Sequence, residues 1–239
     1  MVSRLTGTWL QRGSWILLLG ALAAVSAATY LSIHFYERAL LAQHPAAPQH
    51  LGAADANVQF VGDSRVSQWA PYDAFGAGYI GFPGQSSYQI APAVRALRLE
   101  DAFVVLQLGV NELRLLGLQP HRQGEVVDAT AEAIRSLAFD LSLQNKLVVV
   151  LSIFIAGEPG LARRVVWSDA IAAGIDDVNS TLAATRWPDN VRYLDVNADL
   201  SALGEGAHSD ALHLTPEAYG RLNERLASVL AKGGAPDAV

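Results

Sequence analysis

The sequence predicts a three-layer α/β/α domain built on a mostly parallel sheet and preceded by one N-terminal transmembrane helix. Three observations carry this expectation. Strand-like and helix-like segments alternate from Val58 to Lys232, the pattern of repeated strand-crossover-strand units. Val104-Val105-Leu106 and Leu147-Val148-Val149-Val150-Leu151 are continuous apolar runs, as strands covered on both faces must be. Trp15 to Ile33 reads WILLLGALAAVSAATYLSI, a run without a charge and long enough to cross a bilayer as a helix.

Composition bounds the function. With 239 residues, 51% of them hydrophobic, the chain can bury one good core once its N-terminal segment is set aside. A formal net charge of -6 argues against a nucleic-acid partner, which would require a basic face to displace counterions from phosphates. Cysteine is absent, so there is no disulfide framework, no thiolate nucleophile and no cysteine-based zinc site.

Arg4 and Arg12 precede the apolar run, while His34, Glu37 and Arg38 follow it. The positive-inside bias therefore places the N-terminus in the cytoplasm and the remainder outside. Trp15 at one end and Tyr30 and Tyr36 near the other suit interfacial anchoring. The expected organisation is a short cytoplasmic N-terminus over 1–14, a signal-anchor helix over 15–36, a linker over 37–55, a folded domain over 56–232 and a flexible tail over 233–239. A cleaved signal peptide is the competing reading, since Val25-Ser26-Ala27 and Ser26-Ala27-Ala28 are acceptable cleavage sites, and it would make the protein secreted. The anchor is preferred because apolar and aromatic residues continue past those sites. Either way the domain is exported.

Ala39 to Asp55, with Pro45, Pro48 and repeated alanines, has no sustained apolar period and reads as the linker. After it the expected elements are strand Val58–Val61, a short strand around Tyr79–Gly81, helix Tyr88–Leu99 and strand Phe103–Leu108. Then come helix Glu125–Leu143, strand Leu147–Ser152, helix Val165–Thr185, strand Val191–Asp195 and helix Pro216–Lys232. The last helix is the best marked, with Thr215 as N-cap, Pro216 at its first position and Leu222, Leu226, Val229 and Leu230 on one face. No internal repeat is visible.

Polar residues collect behind the strands. Gly62-Asp63-Ser64 follows the first, Gly84 the second and Gly109-Val110-Asn111 the third, while Asp210 and His213 lie beyond the fifth. In an open α/β sheet these positions share the edge where ligands bind. That inventory suits acyl transfer: Ser64 as nucleophile, His213 as its base and Asp210 as the group that orients the imidazole. The Gly84 N–H, the Asn111 side-chain amide and the Ser64 N–H are the candidate oxyanion hole, with Gly81 a rival for Gly84. Asp63 reads as a turn or helix-start acid. Bland readings exist for each, because Gly-Asp-Ser is an ordinary turn, Asn favours turns and Pro83-Gly84 is itself a turn signal. Two decoys are set aside. Gly76 to Gly81 matches G-x-G-x-x-G but runs into another turn instead of a helix. His208, Asp210 and His213 could be grouped as metal ligands, yet no further cluster completes a site, so neither metal nor cofactor is expected.

These residues resemble the SGNH hydrolases, also called GDSL-type esterases, over Val58 to about Tyr219. Gly62-Asp63-Ser64 matches the first motif block, Gly84 the glycine of the second, Gly109-Val110-Asn111 the third and Asp210-Ala211-Leu212-His213 the last, in the family's order. Arg65 stands where the family usually has Leu, a residue near Tyr79 replaces an Asn, and Glu112 stands where Asp often follows the Asn. The resemblance implies a flavodoxin-like fold, Ser64 as nucleophile, and a substrate that is an acylated carbohydrate, a lipid or an aryl ester. Together with the anchor, it leads us to expect a serine esterase removing a small acyl group, with acetyl preferred, from a cell-envelope carbohydrate through an acyl-Ser64 intermediate. The alternatives are an O-acyltransferase to an envelope polysaccharide and a non-catalytic glycan-binding or assembly module on the same fold.

Overall fold

The computed structural model describes residues 5–36, 47–97, 99, 102–161 and 163–233. Residues 37–46 of the expected linker and 234–239 of the expected tail lie outside the described residues. The elements, in chain order, are α1 (Leu5–Tyr36), β1 (Gln49–Gly52), β2 (Val58–Gly62), α2 (Ser64–Trp69), β3 (Gly78–Gly81), α3 (Ser87–Arg95) and β4 (Phe103–Gln107). They continue with α4 (Val110–Leu113), α5 (Gln123–Ser142), β5 (Leu147–Leu151), α6 (Asp169–Ala184), β6 (Val191–Leu194), α7 (Asn197–Ala202) and α8 (Pro216–Lys232).

Six strands form one sheet in the order β1-β3-β2-β4-β5-β6. The five from β2 onward are parallel, and β1 pairs antiparallel on the edge of β3. The parallel part has the order of the flavodoxin-like sheets, whose order reverses between the first strand and the third. Here that reversal falls between β2 and β4, where Gly62 lies opposite Gln107. Alternate residues of each strand feed two cores. Val61, Ile80, Val104, Leu106, Val148 and Val150 pack under α3, α5 and α6. Phe60, Tyr79, Val105, Val149 and Leu151 pack under α2, α7 and α8. Continuous apolar runs in the central strands are what such double coverage requires.

The structure departs from the sequence expectations in definite ways. Gln49–Gly52, inside the segment read as linker, is the edge strand β1, with all four residues exposed. Helix α3 ends at Arg95 instead of Leu99, where the chain tightens into i→i−3 bonds from Ala96 to Ala93 and from Leu97 to Val94. Helix α6 starts at Asp169 after Ser168, not at Val165; Arg164–Val166 is a single 3₁₀ turn. The short strand expected around Tyr79–Gly81 is present as β3, starting one residue earlier at Gly78.

Helix α1 has one stretch, Ser14–Ser32, that is long and apolar enough to cross a membrane. Its 19 residues span about 28 Å at 1.5 Å per residue, close to the thickness of a hydrocarbon core. Ser14 to Tyr30 are exposed, whereas Leu31 and Ser32 are partly buried. The Gln119 side-chain amide donates to the Ser32 hydroxyl, so the end of this stretch rests on the folded domain.

Candidate active site

Ser64 opens α2 directly after β2. Asp63 is the N-cap, its Oδ1 accepting from Arg65 N at 2.9 Å, which confirms it as a helix-start acid and leaves Ser64 in the first turn with its hydroxyl outward. The turn is tight because β2 and β4 run close together at this point. A Cβ on Gly62 would lie 1.7 Å from the Gln107 carbonyl oxygen, so no larger residue fits two positions before Ser64. The first N–H groups of α2 have no intrahelical acceptor and add the helix dipole's positive end at Ser64.

Across the sheet edge, the loop after α7 returns Asp210 and His213 to this point. Asp210 Oδ1 accepts from the N–H groups of Leu212 at 2.7 Å and His213 at 3.0 Å. Its other oxygen lies 2.9 Å from His213 Nδ1, and His213 Nε2 lies 3.2 Å from Ser64 Oγ. A carboxylate only accepts, so Nδ1 carries the proton and Nε2 is left with a lone pair facing the hydroxyl. Partial burial opposes ionisation of Asp210, but the hydrogen bonds from His213 and the two backbone N–H groups outweigh it and hold the carboxyl at about 2. Arg163, which sequence reading passed over, places Nη1 3.6 Å from Asp210 Oδ1.

The candidate oxyanion groups come from two neighbouring strand ends. Phe82-Pro83-Gly84-Gln85 is a turn closed by Gln85 N donating to Phe82 O at 3.1 Å, with Gly84 at φ +73° following the proline. Phe82 N donates to Gly62 O at 2.8 Å, fastening this turn to the end of β2. Asn111, on α4 just after Gly109 at φ +113°, donates one Nδ2 hydrogen to Gln85 O at 2.9 Å and keeps the other. Asn111 and the Gly84 turn are therefore held together. Gly81 serves packing instead, since a Cβ there would meet Ser67 Oγ at 1.9 Å.

Two of the three departures from the SGNH pattern, Arg65 and Glu112, prove to be buried supports. Arg65 is fully buried. Its Nε donates to Leu212 O at 2.7 Å and Nη1 to Phe154 O at 3.3 Å, with the guanidinium 5.3 Å from the Phe154 ring centre. It thus ties the helix of Ser64 to the loop of His213. The Tyr219 hydroxyl donates to Arg65 O at 2.9 Å, and the Trp69 indole N–H donates to Asn223 at 2.7 Å, so α8 braces the same helix. Glu112, also fully buried, accepts from Ser87 N at 3.0 Å and from the Ser87 hydroxyl. It joins the start of α3, which follows the Gly84 turn, to the helix carrying Asn111. Neither role was readable locally, because a charged residue beside a motif ordinarily faces solvent or substrate.

Burial, against the opposing Ser87 hydrogen bonds, pushes the Glu112 carboxyl up to about 7 from 4.5. A raised acid means that the folded protein holds this proton more tightly than the unfolded chain does. Stability then falls as pH rises through the window from about 4.5 to about 7. The full penalty is on the order of 3 kcal/mol. Glu112→Gln keeps an acceptor for Ser87 N, and its unfolding free energy should fall less between pH 5 and pH 7 than that of the wild type. Parallel pH slopes for the variant and the wild type would contradict this.

No protein-family model and no curated protein matches the chain. Solved structures do. The fold is similar to a GDSL-like lipase from Bacteroides thetaiotaomicron, with 22% identity, TM-score 0.58, and 73% of this chain and 87% of that chain covered. It is also similar to a member of the lipolytic G-D-S-L family from Veillonella parvula, with 15% identity, TM-score 0.53, and coverage of 73% and 97%. A catalytic mutant of Axe2, an acetylxylan esterase from Geobacillus stearothermophilus, matches with 13% identity, TM-score 0.56, and coverage of 78% and 97%. The domain has the fold of the SGNH, or GDSL-type, hydrolases. Gly62–Ser64, Gly84 and Gly109–Asn111 follow the ends of β2, β3 and β4, whereas Asp210–His213 lies after α7 and not directly behind a strand.

Proposed function

We propose that the chain is a membrane-anchored, exported serine esterase that removes a small acyl group, preferably acetyl, from a cell-envelope carbohydrate. The observation that carries the reading is the continuous relay from Asp210 through His213 to Ser64, with separations of 2.9 and 3.2 Å. Ser64 Oγ attacks the ester carbonyl carbon while His213 Nε2 takes its proton. The resulting oxyanion is held by the Gly84 N–H, the Ser64 N–H and the free Nδ2 hydrogen of Asn111. On collapse the sugar hydroxyl leaves with the proton from His213. Water then attacks the acyl-Ser64 ester with His213 again as base, releasing acetate. The charge-free Ser14–Ser32 stretch and the arginines before it support the anchor and the outward orientation. Acetylated glycan is favoured because a tethered catalytic domain reaches envelope polymers and because one structural neighbour is an acetylxylan esterase.

A fluorophosphonate tests the assignment, since its tetrahedral adduct mimics the acyl-transfer state. One label per chain, at Ser64 and absent in Ser64→Ala, is expected. Mass spectrometry of an acetyl-ester reaction supplemented with unacetylated glycan distinguishes the outcomes. Free acetate alone supports the esterase, and an acetylated glycan that disappears in Ser64→Ala would identify the transferase. A folded wild type that neither labels nor releases acetate would return the chain to the binding-module reading.

A further inference from the structure

Two leucines outside the anchor are equally exposed, Leu143 and Leu161, each at 83%. They sit at opposite ends of the sheet: Leu143 follows α5 and precedes β5, whereas Leu161 lies beyond the carboxyl end of β5. Among the described residues, the anchor makes a side-chain contact with the domain at the carboxyl end. Ser32, at the limit of the membrane-spanning stretch, accepts from Gln119, which lies beyond the carboxyl end of β4. The 3₁₀ turn just before Gln119 is in turn fastened to the stretch beyond Leu161. Ser168 Oγ donates to Leu116 O at 3.1 Å, and Gly117 packs so closely on the Val166 carbonyl that a Cβ would approach it to 2.1 Å. From the same stretch, Arg163 reaches Asp210 at 3.6 Å and Arg164 is exposed.

These contacts form one continuous path from the point where α1 leaves the bilayer to the catalytic acid. We propose that the carboxyl edge of the sheet faces the membrane, with Leu161 seated in the lipid interface and Arg164 at the level of the phosphates. The proposal rests on α1 spanning the membrane, as in the function proposed above. The partner is the outer leaflet of the bilayer that holds α1. An exposed apolar side chain beside an arginine suits that boundary, where the leucine leaves water and the guanidinium stays with anionic headgroups. Exposure alone does not single out Leu161, since Leu143 is equally exposed; what does is its place on the edge that Ser32 reaches through Gln119 and the Leu116–Ser168 contact. The consequence for Ser64 is that its cleft opens along the membrane surface, so the acylated carbohydrate it receives is one held close to the bilayer.

Because the chain has no cysteine, single-cysteine variants can be labelled without background. Leu161→Cys, Leu143→Cys and Leu22→Cys, each carrying an environment-sensitive fluorophore, are to be reconstituted as full chains in phosphatidylcholine–phosphatidylglycerol vesicles containing spin-labelled lipids. The label at 22 should lose most of its fluorescence to a quencher in mid-chain. The label at 161 should lose most of its fluorescence to a quencher near the headgroup, and the label at 143 should be unaffected by either. Quenching at 22 with none at 161, or equal quenching at 161 and 143, would overturn the orientation and leave the anchor intact. No quenching at 22 would refute the membrane span itself, and the orientation with it.

Discussion

Asp210→Asn is expected to lower kcat for a small acetyl ester by about four orders of magnitude, the scale found when the orienting acid of a serine–histidine relay is amidated. The geometry supplies the reason. Two backbone N–H groups, of Leu212 and His213, already point at one oxygen of residue 210. In the variant they select the amide oxygen for that position and turn the NH₂ toward His213 Nδ1. An NH₂ group only donates, so Nδ1 must give up its proton and Nε2 must carry it. The imidazole then faces Ser64 with a hydrogen where it needs a lone pair, and the hydroxyl proton has no acceptor. The loop keeps its backbone bonds, so the fold and KM should change little. Steady-state kinetics on a chromogenic acetate, beside a circular dichroism spectrum, checks this. A loss of kcat under tenfold in a folded variant would remove Asp210 from the mechanism.

Much of this site was legible because its determinants are local. Asp210 and His213 are three residues apart and share one turn. Pro83-Gly84 specifies its turn through the fixed φ of proline and the left-handed conformation open to glycine. Gly62-Asp63-Ser64 follows an apolar strand and starts a helix. Residues whose roles depend on distant partners were not legible. Gln49–Gly52 has no apolar alternation to mark it as a strand; its pairing with Gly78–Gly81 is set by backbone hydrogen bonding on one side only. The start of α6 was misplaced because Val165, Val166 and Trp167 continue the apolar period, while the chain is diverted there toward Leu116 and Gly117. Helix α7 between β6 and the Asp210 loop was missed, being only six residues long with one buried side chain, Leu200. Arg65 and Glu112 stand out in the sequence only as departures from the SGNH pattern. Their partners, Leu212, Phe154 and Ser87, are 147, 89 and 25 residues away.

Arg65 gives the other large effect, on stability and turnover together. Arg65→Leu installs the residue usual in the SGNH pattern, of suitable polarity for a buried site, yet it should cost about 2–6 kcal/mol, because two buried carbonyls, of Leu212 and Phe154, lose their donors. Asp63 feels the guanidinium as well, though no ion pair joins the two and Asp63 Oδ2 and Arg65 Nη2 each lack a hydrogen-bond partner. Asp63 is fully buried and its carboxyl is pushed up by burial, and the leading opposing influence is the positive charge of Arg65. Leu212 is adjacent to His213, so the loss also frees the base from the helix that carries Ser64. The turnover of the folded fraction should therefore fall in kcat with KM nearly unchanged, because substrate does not touch Arg65. Asp63→Asn keeps the N-cap, as asparagine caps as well as aspartate, while removing the charge that Arg65 balances. In the double variant the stability loss should be smaller than the sum of the single losses, a non-additivity that a purely steric role for Arg65 would not produce. Denaturant midpoints for the wild type, both single variants and the double variant decide the matter. A loss below about 1 kcal/mol for Arg65→Leu, or strict additivity in the cycle, would show that the buried arginine neither balances Asp63 nor fastens the catalytic loop.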